Sequence, residues 1–307
     1  MKRTALTLPL LPCRRVAHPD KPLHSHSLSP YSPYFQNEPL HSSDPAWTMK
    51  MDAATQSSLA RALSAAISAS HQLSPKSKLR ATQLWAYDHN TDVPEYPASV
   101  LSSAGDCISA VAWHCYAADS TGWGVLDNFH KDHAGVAQIM TECWTHVNDS
   151  SFFDLADFVQ GPMQNWAQGA LAWTLGGSAK FDVSFPGGCS ACSGLVQVDN
   201  SSKTFEFTRD FYVLGQFSKF VSRGSVALNC RGAASTFVHT PSPLLETTQY
   251  INPTGSRVVV FSHKALTDSL VQLEFVSGDS WWGTLPARSV TTWVLPPAAQ
   301  AAALIRK

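Results

Sequence analysis

Apolar positions in this chain follow two rhythms. Over most of the stretch from Ala53 to Val221, strand-length apolar runs alternate with segments of helical spacing. Beyond Val221, short alternating runs succeed one another with turns between them. The first rhythm belongs to parallel β–α–β units, the second to an antiparallel sheet. Leu59, Leu63, Ala66 and Ile67 fall at helical spacing, which predicts an amphipathic helix over 53–70. A strand over Leu79–Trp85 follows, then a polar turn at Asp88-His89-Asn90 and a short helix over Tyr96–Ser103. Ile108–Tyr116 reads as a strand, and a loop with a short helix leads to another over 135–144. A helix over Phe152–Ala167 and a strand over Gly169–Leu175 complete the alternation. The Gly- and Pro-rich stretch 176–194 reads as a loop and Arg209–Val221 as a helix. Later strands are predicted at Ser225–Asn229, Leu245–Ile251, Arg257–His263, Leu270–Val276 and Val290–Leu295. Residues 1–33 are rich in Pro, Ser and His, show no period, and read as disordered or extended.

The stretch that organises the chain is Gly135–Trp144. Its apolar run through Val136, Ile139 and Met140 ends on a carboxylate, Glu142, flanked by Cys143 and Trp144. The C-terminal ends of buried parallel strands are where α/β barrels place their chemistry. A second carboxylate, Glu38, stands in Gln36-Asn37-Glu38-Pro39, 142 − 38 = 104 residues earlier. At about 30 residues per strand–helix unit, the two would face each other across a barrel mouth. Such a pair suits a retaining glycosidase, whose carboxyl groups stand about 5–5.5 Å apart. Asn37 could bond a sugar hydroxyl, His114 and Tyr116 could hold a nucleophile ionised, and Trp173 offers a stacking platform.

Composition agrees. Charged residues make up 15% of the chain and the formal net charge is −1, which argues against nucleic acid or an anionic membrane as partner. No apolar run reaches the length of a membrane span. Ten Trp residues lean toward carbohydrate, although a large core also uses them. Seven Cys leave at least one thiol unpaired within the chain. Cys189-Ser190-Ala191-Cys192 reads as a local disulfide of a secreted protein, because a lone Cys-x-x-Cys is poor evidence for zinc. Cys115 and Cys143 read as packed thiols. Asn148-Asp149-Ser150 and Asn200-Ser201-Ser202 are glycosylation sequons. Lys2 and Arg3 precede a short apolar run, but Pro9, Pro12 and Arg14-Arg15 interrupt the pattern of a signal peptide.

Several segments resemble glycoside hydrolase family 30: Gln36–Pro39, Ala112–Tyr116, Thr141–Trp144, Leu171–Trp173 and Tyr212–Phe220. The similarity covers roughly 36–297. Trp85–Asn90 and the Cys189/Cys192 loop resemble most its fungal endo-β-1,6-galactanase-like members; glucosylceramidases and β-1,6-glucanases belong to the same family. The resemblance implies an α/β fold, a (β/α)8 barrel with a β-sandwich side domain. It implies Glu38 as acid/base at the end of the fourth strand and Glu142 as nucleophile at the end of the seventh. Asn37, His114, Tyr116 and Trp173 would bind substrate, with Asp88 and Asn90 beside the cleft. It further implies a secreted monomer acting on a polysaccharide or glycoside, with no cofactor and no metal.

Three complete units should precede a fourth strand ending at Glu38, roughly 90 residues at about 30 each. Only 37 residues precede it, and Pro30 and Pro33 suit no central strand. The chain therefore reads as the C-terminal half of a barrel over 34–222, a β-domain over 223–307, and an unrelated leader in place of the family's N-terminal side-domain strands. Exposed strand edges would follow, which keeps an inactive carbohydrate-binding remnant as an alternative. A metal hydrolase built on His130, Asp132 and His133 with His114 is another, although a solvated polar turn accounts for those residues better.

Overall fold

The computed structural model describes residues 11–15, 35–42, 48–73, 82–117, 122–143, 145–146, 153–178, 189, 192–231, 244–275 and 278–298. Two compact units are present: Leu28–Asn148 with Asn165–Glu206, and Met1–Ser27 with Asp149–Gln164 and Phe207–Lys307.

The first unit opens with α1 (Ala53–Leu73). Asp52 starts it, its Oδ1 accepting the Thr55 amide at 2.7 Å in place of a missing intrahelical partner. The buried face of α1 is Gln56, Ser57 and Ala60 rather than the predicted one, and Leu63 is 36% exposed. Gln56 sets this rotation, because its Oε1 accepts the backbone N–H of Tyr87 at 2.9 Å. Four parallel strands follow: β2 (Trp85–Asn90), β3 (Ala110–His114), β4 (Ala137–Glu142) and β6 (Ala167–Ala170), side by side in chain order. The helices α2 (Glu95–Ala104) and α3 (Gly124–Asp132) connect the first three.

All five residues of β3 are buried, which marks it as a central strand. Ala110 and Ala112 leave room on one face for Trp85 and Ile139. On β3's other face, Trp113 meets Tyr87 and Phe129 edge-on, with centroids 5.4 and 5.2 Å away. Its indole N–H donates to Gln138 Oε1 at 3.1 Å, so the buried ring keeps no idle donor. Three sequence expectations need correction. The supposed polar turn at Asp88–Asn90 is the end of β2, buried at Asp88 and His89. Strand β6 stops at Ala170, so Trp173 lies in the bend after it. The predicted loop 176–194 holds β7 (Gly176–Ser178) and part of a two-stranded pair, β5 (Thr145–His146) with β8 (Cys192–Ser193). The strands β9 (Val196–Asp199) and β10 (Thr204–Phe207) were unanticipated; β9 lies between β7 and β10.

The second unit is built on an antiparallel sheet in the order β1 (Leu11–Arg15), β11 (Val226–Arg231), β12 (Leu245–Ile251), β13 (Arg257–His263), β16 (Ser289–Leu295). Strand β1 pairs antiparallel with β11, although no strand was expected there. A hairpin of β14 (Ser269–Glu274) and β15 (Ser280–Leu285) shares a core with the sheet. That core contains Val259, Phe261, Val271, Leu273, Leu285 and Leu295. The helices α4 (Phe153–Gln164) and α5 (Arg209–Ser218) belong to this unit. Gln160 and Gln164 of α4 donate to the carbonyls of Val260 and Thr247, and Thr292 donates to the Gln216 carbonyl on α5. Among the described residues no helix is long and apolar enough to cross a membrane.

Candidate active site

The chemistry gathers at the C-terminal ends of β2, β3 and β4. Residues pair one-to-one along most of β3, but each neighbour carries one extra residue near its end. On β2 the register steps from Tyr87↔Ala112 to His89↔Trp113, so Asp88 is the extra residue. On β4 it steps from Met140↔Trp113 to Glu142↔His114, so Thr141 is the extra one. Bulges of this kind re-aim side chains and are common beside active sites. The step on β4 sets Glu142 opposite His114. The two bulge residues meet, with Thr141 Oγ1 donating to Asp88 Oδ1 at 2.6 Å. Tyr87 and Asp88 have φ of 75° and 68°, positions that cost non-glycine residues about 1–3 kcal/mol each. Gln56 holding the Tyr87 amide helps to keep them there.

Glu38 reaches the site from a turn rather than from the end of a described strand; most of the run expected to present it lies outside the described residues. The turn is tied to β2, with the Glu38 amide donating to the Asp88 carbonyl at 2.9 Å and the Leu40 amide to His89 Nδ1 at 3.4 Å. Pro39 is buried and accepts from the Met51 amide. Glu38 itself has φ 49°, a further left-handed residue beside the cluster.

His114 is the hub. Its Nδ1 lies 3.1 Å from Glu38 Oε1, its Nε2 3.2 Å from Asp88 Oδ1, and Nε2 also 3.8 Å from Glu142 Oε2. The Tyr116 hydroxyl donates to Glu142 Oε1 at 2.7 Å. One carboxylate oxygen of Glu38, one of Glu142 and a His114 nitrogen all lie within 4.8 Å of one another. Of the predicted site residues, Glu38, Glu142, His114 and Tyr116 are therefore brought together. Trp173 stands beside them through its amide, which donates to the Cys143 carbonyl at 2.8 Å. Asn37 is exposed, and among the described residues no hydrogen bond ties its side chain to the cluster. His130 and His133 are engaged elsewhere: His130 stacks on Trp166 at 3.8 Å and His133 lies 4.5 Å from the Phe129 ring.

Burial disfavours a charged His114, but hydrogen bonds to Asp88 and Glu38, with the charges of Asp88 and Glu142, outweigh it and raise its pKa to about 9. The geometry is consistent with this. Both ring nitrogens face carboxylate oxygens, and only an imidazolium donates from both. Burial pushes the Glu38 carboxyl up, but the hydrogen bond and charge of His114, helped by His89 and His41, hold it below its ordinary value. Burial pushes Glu142 up, and Glu38 and Asp88 add to this; His114 and Tyr116 pull it down without cancelling the rise.

A disulfide joins Cys115 to Cys143 with Cα atoms 5.3 Å apart, correcting the expectation of packed thiols. Strands β3 and β4 are in register at His114 and Glu142, so the next residue on each strand lies within bridging distance. The bridge ties the segment carrying Tyr116 to the strand end carrying Glu142. The local Cys189–Cys192 disulfide is present.

No family model matches the chain. In sequence it is 44% identical over 218 residues to the endo-1,6-β-D-glucanase neg1 of Aspergillus fumigatus, covering 71% of this chain and 43% of that protein. It is 40% identical over 275 residues to the endo-1,6-β-D-glucanase BGN16.3 of Trichoderma harzianum, covering 89% and 53%. In fold it matches a solved endo-β-1,6-glucanase with a TM-score of 0.72 at 20% identity, covering 87% of this chain and 58% of that one. A family-30 endoxylanase from Clostridium papyrosolvens gives 0.61 at 16%, covering 86% and 65%. In sequence the chain is similar to endo-1,6-β-D-glucanases, and in fold to glycoside hydrolases of family 30. It spans about half the length of the curated relatives it matches. The galactanase-type expectation gains no support from these relatives.

Asp88 and Thr141 are the site residues that sequence reasoning underused. Asp88 sits in Trp-Ala-Tyr-Asp-His-Asn, where a polar triplet after aromatics looks like a solvated turn. An acid standing directly after the apolar run Leu84–Tyr87 was the available signal.

Proposed function

We propose that this chain is a retaining β-glycosidase acting on β-1,6-linked glucan outside the cell. The observation that carries the proposal is the approach of Glu38 and Glu142, with oxygens within 4.8 Å, Glu142 at the end of parallel strand β4 and Glu38 on a turn tied to β2. That closeness suits direct attack on the sugar and leaves little room for an intervening water. The substrate class rests on the β-1,6-glucanase names of the relatives. The extracellular setting rests on two disulfides, which persist in oxidising compartments.

Glu142 forms a bond to the anomeric carbon while Glu38 gives a proton to the departing glycosidic oxygen. Glu38 then takes a proton from water, whose oxygen displaces Glu142 and restores the original anomer. Tyr116 steadies Glu142 as an anion. The proton that Glu38 delivers rests, before substrate arrives, on His114 Nδ1 across the 3.1 Å hydrogen bond. Trp173 supplies an aromatic face for the sugar and Asn37 a hydrogen bond to a hydroxyl.

A second reading reverses the two acids, because Glu38 is held low and Glu142 high in the free protein. The test of the common claim is release of reducing ends from a β-1,6-glucan by the purified chain. Glu142→Gln should abolish hydrolysis in an enzyme; retained glycan binding without hydrolysis by either protein would favour the binding remnant.

A further inference from the structure

Asp88 is 1% exposed, at a strained bulge, and its carboxylate accepts from both Thr141 and His114. Among the described residues its second oxygen, Oδ2, is buried with no hydrogen-bond partner. A buried acid is costly unless a cation sits against it, and the imidazole of His114 lies within hydrogen-bond reach, its Nε2 3.2 Å from Oδ1. Bulges on both strands flanking β3 place these groups together, since without the extra residue on each strand the alternation of faces would differ.

We propose that Asp88 is a positioning residue: a buried counter-ion, aimed by the paired bulges, that fixes the His114 ring as a double donor to Asp88 and Glu38. Thr141 holds the carboxylate in the orientation that meets Nε2. The ring then cannot turn or offer a lone pair toward Glu38, and the Nδ1 proton stays on the side facing the acid. Groups facing His114 are Glu38 from the turn, Asp88 and His89 from β2, Glu142 from β4 and Tyr116 after β3. Of these, Asp88 is the buried anion without access to solvent, so its removal has the largest effect on the charge of the ring.

The consequence for turnover rests on the reading of Glu38 and Glu142 as the reacting pair, but the state of the ring can be read in a protein that hydrolyses nothing. The experiment is nitrogen-15 NMR of the His114 imidazole in the whole chain across pH, in wild type, Asp88→Asn and Thr141→Val. Wild type should show both ring nitrogens protonated at pH 7. Asp88→Asn should lower the midpoint by more than one pH unit and lower kcat with little change in KM. Thr141→Val keeps the carboxylate and should keep the ring protonated at pH 7, which separates charge from packing. A wild-type ring that is neutral at pH 7, or an Asp88→Asn midpoint equal to wild type, overturns the proposal. If Asp88→Asn does not fold, the wild-type and Thr141→Val spectra decide it. Absence of β-1,6-glucan hydrolysis by wild type, with the ring behaving as described, would sink the enzymatic reading and leave this one standing.

Discussion

Tyr116→Phe removes a single hydroxyl and tests how the site controls the charge of Glu142. The hydroxyl donates to Glu142 Oε1 at 2.7 Å in a largely buried setting. A hydrogen bond to a charged group is worth about 1.5–3 kcal/mol, and about 1.4 kcal/mol corresponds to one pKa unit. Loss of the bond should therefore raise the Glu142 pKa further, moving its ionisation equilibrium about 10–100-fold. The sign follows from the anion being the form that the hydroxyl stabilises, so Glu142, already raised, rises further. If Glu142 is the nucleophile it must be ionised, and the acid limb of kcat/KM moves to higher pH. Below that limb kcat/KM falls about 10–100-fold, while the plateau changes little because a bond kept through the transition state stabilises it and the ionised ground state alike. The assay is kcat/KM on a soluble β-1,6-gluco-oligosaccharide across pH, with circular dichroism to confirm folding. Movement of the alkaline limb instead would assign Glu142 the acid's role. If neither limb moves, the reasoning about Tyr116 is wrong.

Three further predictions concern the scaffold. Cys115→Ser with Cys143→Ser opens a bridge spanning 28 residues and should cost about 3–4 kcal/mol of stability, read from urea unfolding under oxidising conditions. The pKa of Glu246 is raised to about 8 by burial and by Asp157, against the pull of Lys264 at 3.3 Å. A carboxyl raised on folding favours the native state at low pH, so its contribution should be lost as pH climbs from about 4.5 to 8, and Glu246→Gln should flatten that part of the Tm profile. At Gly283→Ala the new methyl would press into the Trp293 ring, and the overpacking should cost about 1–3 kcal/mol by the same unfolding assay.

What could be read from the residues follows from where one physical signal dominates. Arg257–His263 and Leu245–Ile251 came out with their observed bounds, because β-branched runs between turns are decided by burial. Glu142 at a strand end was legible for the same reason: an apolar run stops on a charge. Strand β15 was missed because Gly283 reads as a breaker, whereas its missing side chain makes room for the Trp293 ring. The bulges at Asp88 and Thr141 left no trace in the pattern, since an extra residue is visible only against the partner strand. The Cys115–Cys143 bridge depends on that same register. Glu38 was assigned by its motif, and its hold on β2 is made of backbone hydrogen bonds that no side-chain pattern encodes.

Azide offered to alanine variants of the two acids tests the central claim most directly. With an activated β-glucoside, Glu38→Ala should accumulate a covalent glycosyl-enzyme that azide releases as the β-glycosyl azide. Glu142→Ala should give the α-glycosyl azide, because azide then attacks the face that the carboxylate occupied. Both products, identified by proton NMR, would establish Glu142 as nucleophile and Glu38 as acid/base. The opposite anomers would reverse the roles, and no azide product from either variant, with wild type also inert on the glucoside, would contradict the account.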